Sequence, residues 1–230
     1  MNRMKSILLI MIAITMIMFA GHGQHKEHGG NEANKHMHKR SFEELTARFE
    51  DNSRDAWQKP DEVIAQMGDI KGKTVMDIGA GTGYFVFPLA DHGTKVLAAD
   101  VDDDFQNFIA AKKKELGYDD DQIRLKKIPF DSPDLKPGEI DIALIVNTYH
   151  HIEDRVPYFK QVLDGLSDQG FLMNVDFMKK DFEESVPGPP LEHRLSKEIV
   201  IKELKQAGFS RFEIDTELLP YQYIVRAYKD

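Results

Sequence analysis

The sequence predicts an α/β fold: a doubly wound, mostly parallel sheet with helices on both faces, finished by an antiparallel pair of strands. Three observations carry this. From Thr74 onward, short apolar runs alternate with amphipathic stretches, and such alternation requires right-handed crossovers that lay helices over a parallel sheet. A glycine-rich turn, Gly79-Ala80-Gly81-Thr82-Gly83, follows the first apolar run, at the place where an open α/β sheet cradles its ligand. The last two strand-like runs, Phe212 to Leu219 and Tyr223 to Tyr228, are separated only by a turn around Pro220-Tyr221-Gln222. So short a link permits an antiparallel pair and forbids a crossover.

Taken in order, the chain divides into three segments. Residues 1–23 read as a signal peptide or N-terminal anchor: Asn2-Arg3-Met4-Lys5 supplies a positive start, and Ile7 to Phe19 is an uncharged apolar run of the length a signal segment uses and short of a spanning helix. The protein is therefore expected to be exported, periplasmic or secreted, or held at a membrane by an uncleaved segment. Residues 24–40 form a polar linker with too little apolar content to repay the entropy of ordering. His22, His25, His28, His36 and His38 crowd this region; neutral imidazoles can capture a transition metal, but the irregular spacing also suits a soluble tether.

Residues 41–230 form the folded domain. Ser41 and Glu44 make a capping box that opens a helix to about Phe49, and a second short helix follows Pro60 with Val63, Ile64 and Met67 on one face. Strands are expected near 74–78, 95–99, 123–128, 140–146 and 170–175, with helices near 84–91, 104–116, 155–166 and 196–207.

The 230 residues can bury a sizeable core without staples. With 30 Lys and Arg against 39 Asp and Glu, the net charge of −9 repels a polyanion, and no concentrated basic patch offsets it. Nucleic acid is not an expected partner. The absence of cysteine excludes disulfides, thiolate metal sites and thiol nucleophiles.

The glycines admit more than one ligand until their neighbours are read. A dinucleotide fingerprint places glycine at the first, third and sixth positions, but the sixth position from Gly79 is Tyr84. A phosphate-binding Walker loop needs a lysine, and none lies between Lys73 and Lys95. Asp77, two residues before Gly79, repels a pyrophosphate and suits a ligand with an ammonium and a sulfonium group. Asp100 ends the second strand, where a carboxylate can take both hydroxyls of a ribose or, alternatively, cap the next helix.

At these residues the sequence resembles the class I S-adenosylmethionine-dependent methyltransferases, over roughly Trp57 to Asp230. "VMDIGAGTGYF" resembles that family's first motif, "VLAADVD" its acidic ribose loop, "IDIALIVNTYHHIED" its fourth strand and following loop, and "GFLMNVDF" its fifth strand. The resemblance implies a Rossmann-like, seven-stranded sheet and S-adenosyl-L-methionine as cofactor. It implies that Asp77, Gly79, Ala80, Gly81 and Gly83 hold the methionine end, Asp100 the ribose, Val101 one face of the adenine, and Phe130 with Asp131 the adenine edge. Asn147, Thr148 and Tyr149 would line the floor below the sulfonium. "DAWQKPDEVI" is similar to an N-terminal helix of some secreted or membrane-associated members, with Trp57 either closing the cleft or packing as a core aromatic.

The chemistry expected is in-line transfer of an activated methyl group to a small-molecule acceptor. A hydroxyl or phenol acceptor must lose a proton, and His150 and His151 at the fourth strand's exit are the candidate bases, with Glu153 and Asp154 able to orient a ring. Asp176, after the fifth strand, is a further carboxylate expected at the mouth, able to hold an acceptor or a metal. The proline-rich stretch from Lys179 to Ser196 is a loop over that mouth, with His193 and Arg194 facing either solvent or an anionic acceptor. Two other readings share the cleft: a non-catalytic sensor of the same cofactor, and a nicotinamide-dependent oxidoreductase, against which Tyr84 and Asp77 argue.

Overall fold

The computed structural model describes residues 40–182 and 188–229. The leader 1–23 and the histidine-rich linker lie outside these residues, apart from Arg40. Ser41 caps helix α1 (Phe42–Phe49), its hydroxyl accepting from the Glu44 amide while the Glu44 carboxylate accepts from the Ser41 amide, which satisfies two otherwise unpaired donors.

Where one N-terminal helix was expected over 55–64, there are two short ones, α2 (Arg54–Gln58) and α3 (Pro60–Ala65), divided at Lys59. Proline is well placed at the first position of a helix but disfavours the helical conformation in the residue before it. Lys59 accordingly sits in the left-handed region with φ 46°.

The sheet then builds as β1 (Thr74–Ile78), α4 (Val86–Asp91), β2 (Lys95–Asp100), α5 (Asp103–Leu116), β3 (Ile123–Lys127), β4 (Ile140–Val146), α6 (Arg155–Gly165), β5 (Leu166–Phe177), α7 (Lys197–Ala207), β6 (Arg211–Asp215) and β7 (Gln222–Tyr228). Seven strands lie in the order β3-β2-β1-β4-β5-β7-β6. All neighbours are parallel except β7, which runs antiparallel to both β5 and β6, as the short 220–222 turn requires.

Three boundaries differ from the sequence reading. Helix α4 begins at Val86 rather than Tyr84, because the glycine turn extends through residue 85. Strand β5 starts four residues early, since Leu166 pairs with Ile140 across an irregularity before the register resumes at Phe171. Strand β6 stops at Asp215; its carboxylate accepts from the Glu217 and Leu218 amides and turns the chain there.

Both sheet faces are buried. Val75, Ile142, Leu144 and Met173 face α4 and α5 residues such as Leu89 and Ile109, while Met76, Ala143, Ile145 and Leu172 face Phe159, Val162 and Leu204 of α6 and α7. Burial on both sides explains why the strands read as continuous apolar runs. It also fixes the strand ends, and β1, β2, β4 and β5 all deliver their C-terminal residues to one edge.

Candidate active site

That edge opens into a cavity of about 1110 Å³, large enough for a nucleoside-sized ligand and a second small molecule. Asp77, Gly79, Ala80, Gly81, Asp100, Val101, Phe130 and Asn147 all line it. The glycines divide the labour differently from the expectation. Gly79 has φ +77°, and a Cβ there would meet the Thr148 side chain at 2.5 Å; the glycine lets the β1 and β4 exits cross. Gly81, at φ +54°, faces the open cavity, its space bounded by the Phe49 ring. Gly83 does not line the cavity: a Cβ would strike Phe87 at 2.8 Å and crowd Ile109, so it is a packing glycine between turn and helix rather than a ligand cradle.

Two buried acids flank the turn. Asp100 accepts from the Gly81 amide at 2.8 Å through one oxygen and from the Asp102 amide at 2.9 Å through the other. Each oxygen keeps a lone pair for a further donor. The cap of α5 is Asp102, whose carboxylate accepts from the Asp104 amide, so the alternative of Asp100 as helix cap falls away. Burial holds the Asp100 carboxyl above its ordinary range, against the opposing amide hydrogen bonds.

Asp77 is 3% exposed, and burial, reinforced by Asp100, pushes its pKa up to about 7 while the Arg54 guanidinium opposes the shift. Among the described residues its carboxylate has no hydrogen-bond partner. A buried acid left this way is destabilising on its own, and a cation in the cavity would relieve it.

The β4 exit brings the other candidates together. Asn147, in the left-handed region at φ 54°, and Thr148 line the cavity. Tyr149 does not. Its ring stacks on Phe159 at 4.5 Å and its hydroxyl donates to Glu203 at 3.0 Å, because the 3-10 turn Tyr149–His151 rotates it into the core below. The same turn delivers His150 and His151 to the cavity with ring centroids 4.3 Å apart.

His150 Nδ1 lies 3.1 Å from Asp176 Oδ2, and both side chains are buried. Asp176 thus orients the His150 ring from its Nδ1 side. Asp176 itself is fully buried, its second oxygen accepting from the Phe177 amide at 2.8 Å, so it stands behind the imidazole instead of at the mouth. Asp131 is exposed and outside the cavity lining, leaving Phe130 as the one of that pair at the site. Among the described residues no cluster of three His, Asp or Glu side chains is arranged to hold a metal.

A model of a methyltransferase domain matches residues 76–172, the span from β1 into β5 that builds this site. An uncharacterized methyltransferase of Staphylococcus carnosus is 31% identical over 127 residues, covering 54% of this chain and 57% of the relative. Over residues 76–172 the chain is thus similar to a methyltransferase domain. The O-antigen chain terminator bifunctional methyltransferase/kinase WbdD of Escherichia coli is 25% identical over 181 residues, 74% of this chain but 24% of that protein. The chain therefore spans little more than half of the first relative and a quarter of the second. In fold, the chain resembles a crystal structure of a SAM-dependent methyltransferase from Aquifex aeolicus, with a TM-score of 0.72, 23% identity, and coverage of 82% of this chain and 98% of that one.

The cavity also brings in residues that the sequence alone did not single out. Arg54, from α2, lines the cavity with its guanidinium 3.8 Å from the Tyr84 ring centroid. It donates to Gln58 Oε1 at 3.2 Å and to the Phe49 carbonyl at 3.1 Å. Burial pulls its pKa down to about 10. Gln58 donates to Gln222 at 2.6 Å, and Gln222 donates to Asn147 at 2.6 Å. These amides tie α2, the start of β7 and the β4 exit together, explaining how α2 is held over the cleft. Trp57, half-buried, lines the cavity while packing on Phe177 at 5.6 Å between ring centroids. Only a lone Arg and two Gln residues marked these contacts in the sequence, with no spacing to connect them.

Proposed function

We propose that this protein transfers a methyl group from S-adenosylmethionine to a small-molecule acceptor entering the cavity beside Gly188 and Arg194. The observation that carries the reading is Asp77: a buried, cavity-facing carboxylate without a hydrogen-bond partner among the described residues, whose pKa is raised to about 7 although the Arg54 guanidinium opposes the shift. The cofactor's ammonium group and sulfonium centre are the complement that such an acid lacks. Asp100, with one lone pair still open on each oxygen, suits the ribose hydroxyls; Val101 and Phe130 suit the faces of the adenine. The cofactor supplies a methyl group already activated by a positive sulfur.

The chain's contribution is to place the acceptor in line and to receive its proton. A carboxylate only accepts hydrogen bonds, so Asp176 fixes the hydrogen of His150 on Nδ1 and leaves Nε2 as the lone-pair nitrogen of the neutral ring. His150 is the base in this reading, Asp176 its positioning residue, and His151 a second imidazole against the same wall. The test is calorimetry with S-adenosylmethionine and NAD, followed by measurement of S-adenosylhomocysteine release from an acceptor panel. Submillimolar binding of the first nucleoside and none of the second is expected. NAD binding with no response to S-adenosylmethionine would reject the reading, and binding without release for any acceptor would favour a sensor.

We propose in addition that the apolar run Ile7–Phe19 exports the protein or anchors it to a membrane. Among the described residues no helix is long and apolar enough to cross a membrane, and the run itself lies outside them. Cell fractionation with N-terminal sequencing of the mature chain tests this; a soluble cytoplasmic protein starting at Met1 would reject it.

A further inference from the structure

The cavity wall also carries cations. Lys180, His193 and Arg194 line it together with Arg40 and Arg48, the acid among them being Asp181. Arg194 differs from an ordinary surface cation. It is 7% exposed, donating through Nε to the Pro189 carbonyl at 2.8 Å and through Nη1 to the Lys180 carbonyl at 3.2 Å. Its guanidinium carbon lies 5.6 Å from the Phe177 ring centroid and 5.5 Å from that of Phe182.

Among the described residues no carboxylate reaches it within salt-bridge distance; Asp181 and Asp176 attract it only from further away. Two of its five N–H donors are spent on the carbonyls, and the rest border the cavity. Burying a guanidinium without a counter-ion is costly, and a buried arginine that lines a cavity presents a planar fork to any oxyanion entering it.

Its place relative to the acid–base pair narrows the ligand. Phe177, against which Arg194 packs, is the neighbour in sequence of Asp176, which holds His150. The loop carrying Arg194 is pressed onto the same ring: a Cβ at Gly188 would meet Phe177 at 2.7 Å. An acceptor whose nucleophile meets His150 therefore has Arg194 within the reach of a short molecule.

We propose that the acceptor carries an oxyanion, a carboxylate or a phosphate, and that Arg194 binds it. This rests on the methyltransferase reading for the nucleophile but not for the anion site, which can be probed alone. Inorganic phosphate, sulfate and acetate are titrated into the full chain loaded with S-adenosylhomocysteine, against sodium chloride of matched ionic strength. The fluorescence of Trp57, the single tryptophan, reports from a ring packed at a tilt against Phe177.

Saturable quenching by phosphate and sulfate, or by acetate, beyond the chloride control is expected, the stronger anion telling phosphate from carboxylate. The half-saturation concentration is expected to rise at least tenfold in Arg194→Gln and to stay within threefold in Arg194→Lys, with cofactor affinity unchanged within twofold in both. No response beyond chloride overturns the proposal, as does equal loss in the two variants, which would assign Arg194 to holding the loop. Failure of S-adenosylmethionine to bind the wild-type chain would instead reject the cofactor reading and leave the anion result standing.

Discussion

Replacing Asp77 by asparagine should stabilise the cofactor-free protein. The structure gives the magnitude. Burial and the neighbouring Asp100 raise the Asp77 pKa from 3.8 to about 7, and a shift of that size corresponds to about 4 kcal/mol between the charged and neutral forms. The sign follows from proton counting. Between pH 3.8 and about 7 the folded state holds a proton that the unfolded state has released, so this group's contribution falls as pH rises through that window and is flat above it. Asparagine keeps the shape and cannot ionise. The stability difference between Asp77→Asn and wild type should therefore grow from about 1.5 kcal/mol at pH 5 to about 4 kcal/mol at pH 8.

Urea unfolding of both proteins without cofactor, at several pH values from 5 to 8.5, measures it. Taking the difference cancels the titrating groups that do not interact with Asp77; Asp100, which does, contributes to the measured gain. A variant no more stable than wild type at pH 8, or a gain that does not grow with pH, would refute the claim that Asp77 is an unrelieved buried charge. Adding S-adenosylmethionine should reverse the order, because only the carboxylate binds the cation; a trade of stability for binding is the usual mark of a functional site.

Three further outcomes follow from the same geometry. Cofactor affinity should fall close to tenfold per pH unit below about pH 7, where the proton on Asp77 must first leave; calorimetry in buffers of different ionisation enthalpy should show proton release at pH 6 and none at pH 8.5. Asp100→Ala should weaken cofactor binding by about 1–3 kcal/mol through loss of charge-assisted hydrogen bonds, read by calorimetry, and unchanged affinity would remove the ribose role. Gly83→Ala, at φ +84° and with Phe87 in the way, should cost about 2–4 kcal/mol in denaturant unfolding, with the affinity of the remaining folded fraction intact. A loss of affinity without a loss of stability would return Gly83 to the cradle.

The fold was legible because its signals are local and repeated. Apolar runs of strand length, spaced by amphipathic segments, persist from Thr74 to Ala207, and burial on both faces leaves those runs uninterrupted. The acids were legible for a related reason: a carboxylate at the end of a buried strand, Asp77 on β1 or Asp100 on β2, has no structural excuse in an apolar run. What escaped depended on rotation about short turns or on contacts between distant segments. Tyr149 and His150 are adjacent, yet the 3-10 turn sends one into the core and the other to the cavity. Asp176 meets His150 across 26 positions, Gln58 meets Gln222 across 164, and no periodicity reports such meetings. Gly83 was misplaced because positive φ is shared by glycines that admit a ligand and glycines that admit a neighbouring ring.

The cavity lining carries charges of both signs, Asp77, Asp100 and Asp102 to Asp104 among the acids and Arg54, Lys180 and Arg194 among the cations. A cationic nucleoside favours the acids and an oxyanion the cations. Methyl transfer would then remove the positive charge from sulfur while leaving the ammonium in place. Asp77 would lose part of its electrostatic complement at that step, and the attraction that favoured entry would weaken for the product. A structural carboxylate gains nothing from facing a cavity without a partner; one that must hold a cation before reaction and release a less charged product afterwards does.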